Sequence, residues 1–180
     1  MPRQRTGDTR ARIQQAALEL FAERGMQQTS LRDIADRLGV TKPALYYHFA
    51  SREALLNSLV EPMIADFEAY AAAQQAAAPI EPRELLGSYF DLAYRHRKLI
   101  QLAIRDLSVL HELNLADRFI EWRGTLATLL IGTEPSLSDV VRCMVALGGL
   151  SDCAVMLDHV PVDELREASV EAAYDSLGRP

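Results

Sequence analysis

The sequence predicts an all-α protein in which three small helices precede a larger helical body. β-branched residues are sparse, and no stretch alternates apolar and polar residues for more than a few positions. Apolar residues instead recur at helical spacing along most of the chain. Apolar residues make up 49% and charged residues 24%, an ordinary balance for a folded domain that excludes wholesale disorder.

The first helix carries the stripe Ile13, Ala16, Ala17, Leu20, Phe21, with Asp8 or Thr9 as its expected N-cap and Gly25 as its stop. Ser30 opens the second, with Asp33 placed for a capping box and Leu31, Ile34, Ala35 and Leu38 as the buried stripe. Gly39, Val40 and Thr41 form a three-residue turn. Thr41 caps a short third helix to about His48, with Pro43 in its first turn, where a missing N–H costs nothing. A long fourth helix starts after Ser51 and runs toward Tyr70, with a kink expected at Pro62.

Beyond Pro82 the periodicity predicts helices over Arg83–His96, Lys98–His111, Asn114–Ile131, Ser136 to about Asp158, and Val162–Leu177. The expected division is 1–52 for the N-terminal module and 53–180 for the body. Charge follows that division. Residues 1–53 hold nine Arg/Lys against six Asp/Glu, a balance of +3; the remainder holds ten against nineteen, a balance of −9. Such asymmetry predicts an N-terminal face turned to an anion. Arg3, Arg5, Arg10 and Arg12 crowd its start, as a contacting arm or as a solvated one.

Several classes are disfavoured. The most apolar stretch, 140–157, is broken by Arg142, Asp152 and two glycines, too polar for a bilayer span, so no membrane partner is expected. The Arg-rich start lacks the apolar core of a secretory signal, and Cys143 and Cys153 lie about 15 Å apart on one helix by its rise, so a reduced cytoplasmic chain is expected. His96, His111, His159 and the two cysteines show no metal-type spacing, and no phosphate loop or nucleophile motif occurs; neither a metal, a cofactor nor an enzyme activity is expected.

A helix, a three-residue turn and a short helix behind a packing helix make the geometry of a helix-turn-helix DNA reader. If Leu31, Ile34, Leu38, Val40, Leu45 and Phe49 form its core, then Lys42, Ala44, Tyr46, Tyr47 and His48 lie on or near the outer face. A cation, a small apolar residue and amphipathic tips suit phosphates, base edges and thymine methyls. Ser30 and Arg32 stand at the start of the second helix and Arg52 at that of the fourth, where the dipole favours phosphate. Adjacent Tyr46 and Tyr47 cannot point the same way, so one of them is a candidate for packing, and His48 for a local hydrogen bond.

The stretch from Thr9 to Leu56, above all TSLRDIADRLGVTKPALYYHFASREALL, resembles the DNA-binding domain of the TetR family of bacterial regulators. The resemblance implies a ligand-responsive repressor, homodimeric, whose third helix reads the major groove of double-stranded operator DNA and whose body binds a small-molecule inducer. Carried over by position, Lys42, Ala44, Tyr46 and Tyr47 fall where the family meets bases and nearby phosphates. Ser30, Arg32, Thr41 and His48 fall at backbone or mixed contacts. Arg52 stands where the family usually has Lys, with the charge kept. A scaffold that has lost DNA binding is the alternative reading.

In the body, Gly148 and Gly149 inside an apolar helix cost about 1 kcal/mol each relative to alanine, which close approach of a symmetry mate would offset; a helix break there is the plainer alternative. The last helix offers the stripe Leu165, Ala168, Ala172, Leu177. Candidate walls of a ligand pocket are Phe67, Tyr70, Tyr89, Phe90, Tyr94, Leu102, Phe119, Trp122, Met144 and Met156, each of which could equally be core. Arg105, Asp106, His111 and Asp152 are candidate polar anchors.

Overall fold

The computed structural model describes residues 3–77, 79–105 and 115–178, with side chains except at 3–7 and 115–116. The described residues form nine helices and no strand: α1 (Arg3–Arg24), α2 (Leu31–Leu38), α3 (Lys42–His48), α4 (Arg52–Ala77), α5 (Pro82–Arg95), α6 (Arg97–Arg105), α7 (Leu115–Ile131), α8 (Leu137–Met156) and α9 (Val162–Ser176). None is long and apolar enough to cross a membrane. They group into two compact units, residues 3–63 with 102–105, and residues 64–101 with the described residues from 115 on.

In the first unit the α1 stripe is buried as periodicity requires: Ile13, Ala16, Ala17, Leu20 and Phe21 are all within 5% of full burial. Leu31, Ile34, Ala35, Leu45, Phe49, Leu55 and Leu56 complete that core, while Leu38 and Val40 are half-buried at its edge. Helix α1 begins earlier than its expected cap: Arg3, Gln4 and Arg5 are good helix formers, and the helix runs on through Gly7. Arg37 forks onto Glu23 at 2.7 and 3.3 Å, tying α2 to α1.

Helix α4 runs unbroken through Pro62. A proline has no N–H for the carbonyl four residues back, here that of Ser58. Gln14 of α1 supplies the substitute: its Nε2 donates to Ser58 O at 3.1 Å and to Ser58 Oγ at 3.0 Å.

In the second unit α9 packs on α8 and α5, and α8 also on α5 and α7. Arg166 forks onto Asp91 at 2.7 and 3.0 Å, and Arg83 pairs with Glu171 while lying 3.9 Å over the Tyr174 ring. Arg166 crosses α5 at Gly87, where a Cβ would fall 2.5 Å from its Nη2. The stripe expected on the last helix is half right. Leu165 and Leu177 are buried, but Ala168 and Ala172 are exposed; Ser169, Val170 and Ala173 fill the inner face at the helical interval from Leu165. Helix α8 passes straight through Gly148 and Gly149, so no break occurs there. Buried Leu147 and Leu150 anchor the helix on either side of the pair.

Candidate nucleic-acid interface

Short-range chemistry fixes the α2–turn–α3 hairpin. Ser30 and Asp33 form a reciprocal capping box: the Asp33 N–H donates to Ser30 Oγ at 3.2 Å and the Ser30 N–H to Asp33 Oδ2 at 2.8 Å. The Ser30 hydroxyl donating to the Asp33 carboxylate, with the Ser30 N–H beside it, holds that carboxyl below the usual aspartate range. Gly39 closes α2 at φ +65°, a left-handed value that strains any side chain. Thr41 caps α3 by accepting the Ala44 N–H at 3.4 Å.

Leu45 and Phe49 enter the core, so the rest of α3 faces outward. Thr41, Lys42, Ala44, Tyr46 and Tyr47 are exposed and His48 is half-buried. Neither tyrosine is packed away: Tyr46 is 43% and Tyr47 81% exposed. Lys42 Nζ lies 5.5 Å over the Tyr46 ring, and Tyr47 meets the His48 ring edge-on at 5.4 Å.

Five of the expected residues, Ser30, Arg32, Lys42, Tyr46 and Arg52, line one surface groove of about 550 Å³. Arg32 lies 3.7 Å from exposed Asp36, a pair that solvent weakens. Half-buried Arg52 donates to Met26 O at 3.1 Å, which fixes its stem near the groove. Thr41, Ala44, Tyr47 and His48 lie on the surface outside this groove. Gln27 and Gln28 also line it; their signal in the sequence is a polar pair between the Gly25 stop and the Ser30 cap. Arg10 belongs to the site by support, donating to His48 O at 3.3 Å with its guanidinium 4.4 Å over Phe49. The side chains of Arg3 and Arg5 lie outside those described, and Arg12 is exposed.

The second unit gathers most of the aromatic candidates. Phe67 stacks on Trp122 at 4.9 Å and meets Tyr89 and Phe119 edge-on at 6.4 and 6.0 Å. Tyr70 lies along Tyr89 at 6.5 Å, and Phe90 stacks separately on Tyr94 at 5.9 Å. The Tyr70 hydroxyl donates to Leu85 O at 2.8 Å and meets Ser88 Oγ at 3.0 Å; burial pushes its pKa up to about 12. These rings are largely buried against one another, the arrangement of a core. Leu102 is buried in the first unit, not with them. Met144 and Met156 are 71% and 52% exposed. A groove of about 560 Å³ runs between α7 and α8, and of the ten candidates only Met144 lines it. Arg105 and Asp152 are exposed, while Asp106 and His111 lie outside the described residues. Among the described residues no cluster of three or more His, Cys, Asp or Glu side chains is placed to hold a metal ion.

Residues 13–59, the hairpin with the helices that flank it, match the family model described as bacterial regulatory proteins, tetR family. Over 51 residues the chain is 49% identical to the tetracycline repressor protein class A from transposon 1721 of Escherichia coli, covering 28% of this chain and 24% of that one. It is 34% identical over 88 residues to the HTH-type transcriptional regulator TtgR of Pseudomonas putida, covering 47% and 42%. The chain therefore spans less than half the length of these relatives. Whole-chain likeness comes from structures. A transcriptional regulator of Aquifex aeolicus VF5 superposes with TM-score 0.73 at 24% identity, over 92% of this chain and 98% of that one. The probable transcriptional regulatory protein RHA5900 does so with TM-score 0.64 at 26% identity, over 95% and 100%. Motif, hairpin geometry and family model agree over residues 13–59, which carry the N-terminal domain of the tetR family of bacterial regulatory proteins.

Proposed function

We propose that the protein is a ligand-responsive transcriptional repressor that binds a two-fold symmetric operator as a homodimer and is released by a small molecule. The observation that carries this reading is the shared groove of Ser30, Arg32, Lys42, Tyr46 and Arg52 beside an outward-facing α3. Donors at two helix starts would grip the phosphates on either side of a major groove, while Ala44, Tyr46 and Tyr47 meet base edges and methyls. Thr41 and His48 complete the backbone contacts. The division at 52/53 assigns this work to the N-terminal module and ligand capture with dimerisation to the body.

Dimerisation is supported by the outer face of α8, where Leu137, Val141, Met144 and Val145 are all more than half exposed. A Cβ at Gly148 or Gly149 would meet nothing within 4 Å of the chain itself, so what their smallness would serve is a partner's approach. Two reading helices would then be about 34–36 Å apart, one turn of DNA. The helical body takes up the ligand, and ligand and operator affinities are coupled by about 1–3 kcal/mol, reciprocally. The thiols of Cys143 and Cys153, neither of them in a disulfide, suit a reducing cytoplasm.

The test is selection of bound duplexes from a random DNA library at near-physiological salt. A two-fold symmetric consensus with half-sites one turn apart supports the reading. No enriched sequence from a folded, ligand-stripped dimer would overturn it.

A further inference from the structure

The α7–α8 groove is lined chiefly by apolar side chains, among them Ile120, Ala127, Ile131, Val140 and Leu147, with flexible Met144 at its mouth. Its volume of about 560 Å³ lies within the range of small-molecule pockets, roughly 300–1,000 Å³. Among the described residues that line it, Arg123 alone carries charge. Arg123 is half-buried, and its recorded polar contact is a long one, Nε to the Tyr89 hydroxyl at 3.4 Å. No carboxylate of the described residues pairs with it, in contrast to Arg37, Arg83 and Arg166.

A part-desolvated guanidinium at an apolar wall favours an anionic partner. Its planar fork of donors matches a carboxylate, and one fork matches one negative charge. A phosphate head would want more, yet the neighbouring N-terminus of α8 is already closed by the Ser136–Asp139 capping box, with the Ser136 N–H on Asp139 at 3.0 Å. We propose that this groove binds an apolar monocarboxylate, its tail along α7 and α8 and its head on Arg123. The inference deepens the reading of a ligand-responsive repressor by giving its ligand a chemical class and a place distinct from the aromatic core.

Decanoate is the probe, with decanol and decylamine as partners of equal tail length, titrated calorimetrically into the full chain at neutral pH. Decanoate should bind with about one molecule per chain, at least tenfold tighter than decanol, with decylamine the weakest. Arg123→Gln should weaken decanoate by about 10- to 100-fold and leave decanol unchanged, the loss expected for a charge-assisted hydrogen-bonded pair. Ala127→Phe, which fills the groove, should weaken both. Equal affinities for decanoate and decanol, no binding of either, or an unchanged Arg123→Gln variant would overturn the proposal. So would dimer dissociation by both substitutions without a change in decanoate binding, which would make the groove an interface between copies. Operator selection on the same preparation keeps the two readings apart. A protein that selects no DNA yet binds decanoate through Arg123 sinks the regulator and supports the groove.

Discussion

The bond from Gln14 to the Ser58 carbonyl can be tested as a double-mutant cycle with Pro62. In any other α4 sequence Ser58 O would accept the N–H four residues on, and Gln14 would be one of two donors. Here Pro62 makes Gln14 the substitute, with Nε2 at 3.1 Å from the carbonyl and 3.0 Å from the Ser58 hydroxyl. Gln14→Ala leaves a part-buried carbonyl short of a donor, a loss of about 1–3 kcal/mol. Pro62→Ala restores the backbone donor and removes the ring clash, for a gain of up to about 3 kcal/mol. In that background Gln14→Ala should cost only about 0.5–1 kcal/mol, the net value of a dispensable hydrogen bond. The coupling is therefore about 1–2 kcal/mol, read from urea unfolding of the four proteins. Equal costs of Gln14→Ala in the two backgrounds would refute the substitution argument.

Four further outcomes are expected. Arg32, Lys42 and Arg52 give three cations per reading head and six per dimer, so the slope of log affinity against log salt should be about −5.4. Lys42→Ala should reduce it to about −3.6, shrinking the loss on a fourfold rise in salt from about 2,000-fold to about 150-fold; an unchanged slope in filter-binding titrations would remove Lys42 from the phosphates. Ser30→Ala should cost about 1 kcal/mol as a lost helix cap, measured by thermal unfolding. The depressed Asp33 pKa stabilises the fold above the unfolded aspartate value and ceases to do so as pH falls through the folded one; the acid limb of stability should therefore be shallower in Ser30→Ala. Tyr70 runs the opposite way. Its raised pKa stabilises the fold below the ordinary tyrosine value, and that is lost as pH climbs toward about 12, so Tyr70→Phe should be weaker at neutral pH yet less sensitive to alkali in the same melts. Finally, Gly148→Ala with Gly149→Ala should favour the helix by about 2 kcal/mol while loosening the dimer in sedimentation equilibrium; a tighter or unchanged dimer would mean that no helix approaches there.

Local signals were the legible ones. Ser30, Gly39, Thr41 and Pro43 act within one turn of themselves, so the hairpin and its outward residues could be placed from spacing alone. The start of α1 was not legible, because Asp8 is a good cap and nothing in a single sequence says that Arg3–Gly7 would rather continue the helix. On α9 the alanines at 168 and 172 competed with Ser169 and Ala173 for the inner face, and small residues carry too little hydrophobic signal to decide. The body is harder for a different reason. Its aromatic residues are core or pocket according to what stands opposite them, and Phe67, Tyr89 and Trp122 come from three helices far apart in sequence. In the sequence Arg123 is one charge among several on α7, and only the groove beside it sets it apart.

The arginines of the reading unit also bear on how the protein would find its site. Arg37 is neutralised by Glu23, Arg32 stands beside Asp36, and Arg10 leans over Phe49 onto the end of α3. The two pairs cancel within a few ångströms, and what remains is a net +3 over residues 1–53, screened beyond roughly 8 Å in physiological salt. With −6 on the chain as a whole, little attraction reaches out to distant DNA. Encounter would be governed by plain diffusion and sliding rather than by electrostatic pull. Discrimination among sequences would then rest on how long α3 stays in the groove once it has arrived, a matter of dissociation rather than capture.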